Sequence, residues 1–437
     1  MQVSRRAVLG WMAGSAVAAS TGVGWAGAAG ASTGSSAVAD EWFDLLRALV
    51  AGTPGYSPPV AARAFGYAGV GLYEAVVPGM DGHRSLAGLL NGLAGVPAAE
   101  PAPHHWPAVA NRVLAQLARS LFPTAPAALK ARVDGLEAQY GNQFRTVVPA
   151  DVYDRSVPRG TAVAAAILRW SRTDGAHEAY LSNFPTDYVP PTGPGKWIPT
   201  PPAFQRALQP RWGAVRRFLP GSADECAPPG PPAFSTERGT PFWAEAMQVR
   251  TVGAYLTPDQ RAIAVFWSDD PGLTSTPPGH SISILTQVLR ADGASLAKAA
   301  EAYARVGIAV ADAFICCWKV KFTVNLLRPV SYVRQVIDPA WTPLLTTPPF
   351  PEFPSGHSTQ SAAAATVLTS LFGSRSFTDH THDARGLPPR TFSSFNQAAA
   401  EAAMSRLYGG IHFISGIQQG LNQGYCLGAR VAALRLG

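Results

Sequence analysis

The segment SRLYGGIHFISG, residues 405–416, sets the reading of the whole chain. Arg406 and His412 stand six positions apart. On one continuous helix that spacing sends the two side chains in well-separated directions, because each residue turns the helix by about 100°. Gly409-Gly410 lies between them, and a glycine pair closing an apolar-periodic run ends a helix. The resulting bend can aim a guanidinium and an imidazole at one point. Nothing acidic follows the histidine.

Two upstream segments share this chemistry. In WKVKFTVNLLRPV, residues 318–330, Lys321 and Arg328 are seven positions apart. Seven is close to two helical turns, so both cations are expected on one helix face, with Pro329 ending that helix. Two cations on one face repel unless an anion lies opposite. In FPEFPSGHSTQSAAAATVL, residues 350–368, the run Pro354–His357 reads as a tight turn feeding an Ala-rich helix. Ser355 and Gly356 at the helix start offer a hydroxyl and free N–H groups to a negative ligand, and His357 can move a proton. Lys321, Arg328 and Arg406, the donors of Ser355 and Gly356, and the imidazoles of His357 and His412 together suit a tetrahedral oxyanion such as phosphate or vanadate.

The pattern K-x6-R-P, P-S-G-H and S-R-x5-H resembles the vanadium-dependent haloperoxidase and type-2 phosphatidic acid phosphatase superfamily. It is met here by KFTVNLLRP (321–329), PSGH (354–357) and SRLYGGIH (405–412). The stretches SPPVAARAFGYAGVGLYEA, GPGKWIPTPPAF and FWSDDPGLTSTPPGHS resemble the longer N-terminal half of the haloperoxidase-like branch. The resemblance implies that His412 is joined to the oxyanion centre, as the vanadium ligand of a haloperoxidase or the nucleophile of a phosphatase. It implies that Lys321, Arg328, Ser355, Gly356 and Arg406 hold the equatorial oxygens, and that His357 is the acid–base group. The family pattern continues with an Asp four residues after the last histidine; here that position is Gly416. Ser415, Gln418, a backbone carbonyl or Asp270 could steady His412 instead. This loss weakens a nucleophilic role more than a ligand role, and so favours vanadate over phosphatase action.

The rest of the sequence bounds these expectations. Of the 437 residues 47% are hydrophobic and 14% charged, so a large core is available and disorder is not expected outside the ends. The formal charge of +7 comes mostly from scattered arginines. Nucleic-acid binders instead cluster basic residues among aromatics, so small anions are the expected partners and nucleic acid is not. Arg5-Arg6, followed by an apolar Ala/Gly-rich run and Ala29-x-Ala31, reads as a twin-arginine export signal over residues 1–31. No later run reaches membrane length; VGIAVADAFICCW is interrupted by Asp312. Four cysteines are too few for a disulfide scaffold: Cys316 and Cys317 read as core packing, and Cys226 and Cys426 could pair in an oxidising compartment.

Helical periodicity dominates and strand alternation is rare, giving a mainly α class. The resemblance sharpens this to a multi-helix bundle of the phosphatase/haloperoxidase type. Residues 32–240 read as an N-terminal helical half and 241–437 as a catalytic half. A long Pro/Gly-rich segment from Phe184 to about Pro241, rich in aromatics, is expected to wrap and pack rather than hang free. His280 in PPGH is a helix-start residue that could approach the site. The DHTHD run, residues 379–383, reads as a polar surface loop, as do His104, His105 and His177. The leading expectation is an exported haloperoxidase using vanadate, hydrogen peroxide and chloride or bromide to halogenate an organic acceptor. The alternatives are an acid phosphatase acting on phosphate esters through the same residues, and a non-catalytic oxyanion-binding protein, which Gly416 would favour.

Overall fold

A helix that is apolar on every side has nowhere to go but the interior. The segment SPPVAARAFGYAGVGLYEA does this: it forms α2 (Pro58–Val76), buried along nearly its whole length. The computed structural model describes residues 34–221 and 226–437; the twin-arginine segment lies outside the described residues. The helices are α1 (Ala37–Gly52), α2, α3 (Trp106–Leu121), α4 (Ala127–Val147), α5 (Ala150–Ser171), α6 (Pro241–Ala254), α7 (Pro258–Phe266) and α8 (Thr276–Ala291). They continue with α9 (Leu296–Val324), α10 (Pro329–Val336), α11 (Gly356–Phe372), α12 (Phe395–Tyr408) and α13 (Ile414–Ala432). One short antiparallel pair, β1 (Phe377–Asp379) with β2 (Arg390–Phe392), sets Phe377 opposite Phe392.

The central contact is α2 against α9, where small residues let two backbones approach. A side chain at Gly307 would come within 2.8 Å of the Phe65 carbonyl oxygen, and one at Gly69 within 3.0 Å of Ala304 Cα. A second close pair carries the site. On α13, Gly416, Gly420, Gly424 and Gly428 repeat every four residues, forming one ridge without side chains. At Gly420 a Cβ would lie 2.7 Å from the Ser355 carbonyl oxygen, and at Gly428 2.7 Å from that of Ala363. The ridge therefore seats α13 directly on α11 and on the turn that begins it. The Ser355 N–H donates to the Gly416 carbonyl at 2.9 Å.

Two expectations about the motif helices change. Lys321 and Arg328 do not share a helix: α9 stops at Val324, and Asn325 takes a left-handed conformation at φ 57°. Pro329 opens α10 instead of closing α9, and restricts Arg328 to extended backbone at φ −84°, ψ 154°. α5 starts at Ala150 and continues through Pro158.

The Pro/Gly-rich segment packs as expected and braces this break. Trp197 N–H donates to the Asn325 carbonyl at 2.9 Å, and Leu327 N–H to that of Gly195 at 2.9 Å. Further along, Leu208 N–H donates to the Pro349 carbonyl at 2.8 Å. The Cys226–Cys426 pair, left open by the sequence, is a disulfide joining this segment to α13. Cys316 and Cys317 are buried in the core. Among the described residues no helix is long and apolar enough to cross a membrane.

Candidate oxyanion site

Four segments meet where α9, α10, α11 and α13 begin or end. Helix α12 ends at Tyr408, Gly409 stays helical, and Gly410 turns left-handed at φ 73°. Glycine permits that turn without a Cβ clash, so His412 can fold back toward Arg328. Arg328 Nη1 lies 3.2 Å from His412 Nε2 and donates to the Ile411 carbonyl at 2.9 Å, while its Nε donates to the Phe350 carbonyl at 2.7 Å. Its Nη2 is buried and has no partner among the described residues. A guanidinium N–H left bare in a protein interior is costly unless an acceptor occupies the site.

The carboxylate against His412 is that of Glu352, which sequence reading missed. His412 Nδ1 lies 2.7 Å from Glu352 Oε1, and the Phe413 N–H donates to the same oxygen at 3.0 Å. Of the candidates weighed, Ser415 instead donates to Glu245 at 2.7 Å, and Asp270 is an exposed residue on the cavity wall. The two neighbours of His412 fix its tautomer. Guanidinium can only donate, so Nε2 is the lone-pair nitrogen, and Nδ1 carries the proton given to Glu352.

Charge supports that assignment. Burial first, and then Arg328, Lys321 and Arg406, push the His412 pKa well below its ordinary value, so the ring is neutral. Burial lifts Glu352 to about 7 against the opposing pull of Lys321 and Arg328. Burial also lowers Arg328 and Arg406 to about 10 and Lys321 to about 7.

Lys321 turns toward the protein. Its ammonium donates to the carbonyls of Pro351 at 3.0 Å, Glu352 at 2.9 Å and Pro354. Those are all three of its donors, so here it clamps the turn leading into PSGH. Ser355 caps α11 by accepting from the Ser358 N–H at 3.3 Å, and Gly356 is the first residue of that helix. Arg406 donates through Nη2 to the Trp267 carbonyl at 2.7 Å, and His357 Nε2 lies 3.0 Å from the same oxygen. A carbonyl only accepts, so His357 holds its proton on Nε2 and keeps a lone pair on Nδ1. Burial and then Arg406 hold its pKa well below the ordinary value. Gly356, His357, Arg406 and His412 all line one cavity of about 740 Å³, with Phe314, Trp318 and Phe350 among its walls.

Behind Trp267 sits a second ionisable cluster. His280 is stacked under the indole at 4.4 Å, and its Nδ1 and Nε2 reach Asp269 at 2.8 Å and Asp379 at 2.7 Å. Burial opposes a charge there, yet the two carboxylates hold His280 up at about 10. His382 Nε2 lies 3.4 Å from Asp269. Ligand atoms of Asp269, His280 and His382 fall within 4.8 Å of one another, a spacing consistent with a metal-binding cluster. In this structure both nitrogens of His280 already face carboxylates. The DHTHD run is therefore not a plain surface loop: Asp379 and His382 are buried, Asp379 against His280 of α8, while His380 and Asp383 are exposed. His104 is likewise buried, against Trp106.

Comparison with known proteins places this geometry in a class. The model of the "VCPO second helical-bundle domain" matches residues 301–435, which hold all three motifs. The vanadium chloroperoxidase of Curvularia inaequalis is 30% identical over 144 residues, an overlap spanning 27% of this chain and 24% of that protein. The chain thus matches about a quarter of that curated relative's length. Among solved structures, one described as the first bacterial vanadium-dependent iodoperoxidase is 36% identical with a TM-score of 0.83, covering 91% of this chain and 96% of that one. A holo-type bacterial vanadium-dependent chloroperoxidase shares the fold at 16% identity and TM-score 0.66, covering 88% of this chain and 92% of that one. The chain belongs to the vanadium-dependent haloperoxidase family.

Proposed function

We propose that the protein is an exported vanadium-dependent haloperoxidase that holds vanadate at His412 and uses hydrogen peroxide to oxidise halide. Per turnover, hydrogen peroxide, a proton and a halide ion give hypohalous acid and water. The observation that carries this reading is the buried Arg328–His412 pair: Nη1 lies 3.2 Å from the lone-pair Nε2, and Nη2 of the same guanidinium has no partner among the described residues. Vanadate fits that donor set, since it needs N–H donors for its oxygens and one neutral imidazole nitrogen for the metal. When bound it supplies the Lewis-acidic centre that activates peroxide.

The chain's own residues do the rest. His412 presents Nε2; Arg328 and Arg406 offset negative charge on the oxyanion; Ser355 and Gly356 offer helix-start donors. Lys321 fixes the turn that aims them. His357 takes a proton at Nδ1 and returns it, its ring held by Trp267. The 740 Å³ cavity admits peroxide, halide and an organic acceptor. Iodide is the first halide to test, because the 36%-identical relative is described as an iodoperoxidase.

The missing Asp does not separate vanadate from phosphatase chemistry, since Glu352 supplies a carboxylate to His412. The family relatives favour the haloperoxidase. Glu352 also removes the feature that supported a non-catalytic protein. The test loads purified protein with orthovanadate and measures iodide and bromide oxidation with hydrogen peroxide, then phosphate-ester hydrolysis without vanadate. Halide oxidation that needs vanadate and disappears in His412→Ala is expected. Hydrolysis alone, or oxidation unaffected by His412→Ala, would overturn the reading.

A further inference from the structure

We infer that Glu352 is the positioning residue for His412, and that Glu352 and Gly416 form one exchange: the carboxylate has moved from α13 to the turn before PSGH. The inference rests on the oxyanion-site reading above and concerns what orients its histidine.

Three observations carry it. The first is occupancy. A Cβ at position 416 would run into Glu352 Oε1 and lie within 2.8 Å of Oε2. The carboxylate therefore fills the volume that a side chain at 416 would need, and the two cannot be present together without displacement. The second is connectivity. Glu352 N–H donates to the Leu326 carbonyl at 2.9 Å, its carbonyl accepts from Lys321 at 2.9 Å, and Oε1 receives His412 Nδ1 and the Phe413 N–H. One residue thus ties together the end of α9, the PSGH turn and the histidine segment. The third is the ridge on α13, which holds the Gly416 backbone against Ser355. The three atoms nearest a Cβ at 416 all belong to the Glu352 carboxyl, so a side chain there gains room once Glu352 is shortened.

The role is orientation, and it can be told from bulk charge. Lys321, Arg328 and Arg406 surround the site, so removing a carboxylate makes it more positive. Were Glu352 only a charge, its neutralisation would tighten every oxyanion. As the positioning group for Nε2, its loss weakens only the anion that bonds to that nitrogen. Vanadate forms such a bond; sulfate, which has no open coordination position, does not.

Isothermal titration of wild type, Glu352→Gln and Glu352→Ala/Gly416→Asp with orthovanadate and with sulfate reads both. In Glu352→Gln the vanadate affinity should fall by about 10- to 100-fold, the usual effect of losing a group that orients a metal-ligating histidine. Sulfate affinity should be unchanged or higher. The double variant, which returns the carboxylate to α13, should recover vanadate affinity to within about threefold of wild type. Equal vanadate affinity in wild type and Glu352→Gln, or a parallel fall for both anions, would overturn the inference while leaving the site reading intact. Absence of vanadate binding in wild type would instead overturn the site reading. If Glu352→Gln does not fold, the double variant carries the test: vanadate binding as weak as in His412→Ala contradicts the inference.

Discussion

Two buried histidines in this protein each bind a carboxylate at 2.7–2.8 Å, yet they are held in opposite charge states. His412 faces one carboxylate and three cations and stays neutral. His280 faces Asp269 and Asp379 and stays protonated, with a pKa of about 10. The distance to a partner is therefore not what decides. The sum of charges around each ring decides, because burial penalises a lone imidazolium in both places. The neutral ring keeps an unprotonated Nε2, facing Arg328, whose lone pair can ligate. The charged ring has both nitrogens committed and serves as a brace beneath Trp267, whose carbonyl holds Arg406 and His357.

Breaking the brace should have the largest effect on stability. His280→Ala leaves Asp269 and Asp379 buried without their cation, and removing one partner of a buried pair costs about 3–5 kcal/mol. A fall of that size in urea-unfolding free energy at pH 7 is expected. An unchanged midpoint would show that the cluster is not ion-paired.

On the other side of the comparison, Gly416→Asp alone forces a new carboxyl into the volume of the Glu352 carboxylate. Vanadate affinity should drop about 10-fold or more through misplacement of His412. The effect should be relieved by adding Glu352→Ala.

The pH dependence of the brace sharpens the comparison further. The pKa of His280 is raised from 6.5 to about 10 on folding, so its contribution is complete below about pH 6.5 and is lost as pH rises through 10. That of Asp379 is lowered from 3.8 to about 2, so its contribution is present above 3.8 and lost as pH falls through 2. Between pH 6.5 and 10 the unfolding free energy of wild type should therefore decline more steeply than that of His280→Gln. Parallel curves would contradict the assignment.

How much of this was legible in the sequence depended on how local the physics is. Arg406, the glycine pair and His412 could be read because a helix end is a short-range event. The PSGH turn was legible for the same reason. Lys321 and Arg328 were paired on a wrong premise: a left-handed Asn325 and a helix-opening Pro329 split the run that spacing alone joined, and Lys321 turns to the carbonyls of the PSGH turn. Glu352 was not legible as the partner of His412, because 60 residues separate them and only the packing of α13 on α11 brings them together. One signal was present: the four-residue glycine repeat from 416 to 428 marks a face where nothing can protrude. It places the missing acid across the helix contact, and the sole carboxylate in FPEFPSGH is Glu352. Asp379 and His382 looked like a polar loop because their partners, His280 for the one and Asp269 for the other, lie far away in sequence.

The comparison of the two rings can be tested in one experiment. Nitrogen-15 spectra of histidine-labelled protein report whether each ring nitrogen carries a proton, with His412→Ala and His280→Gln assigning the signals. Between pH 5 and 8 the account predicts a neutral His412 with its proton on Nδ1 and a bare Nε2, beside a His280 protonated on both nitrogens. A doubly protonated His412 at neutral pH, or one with its proton on Nε2, would contradict it.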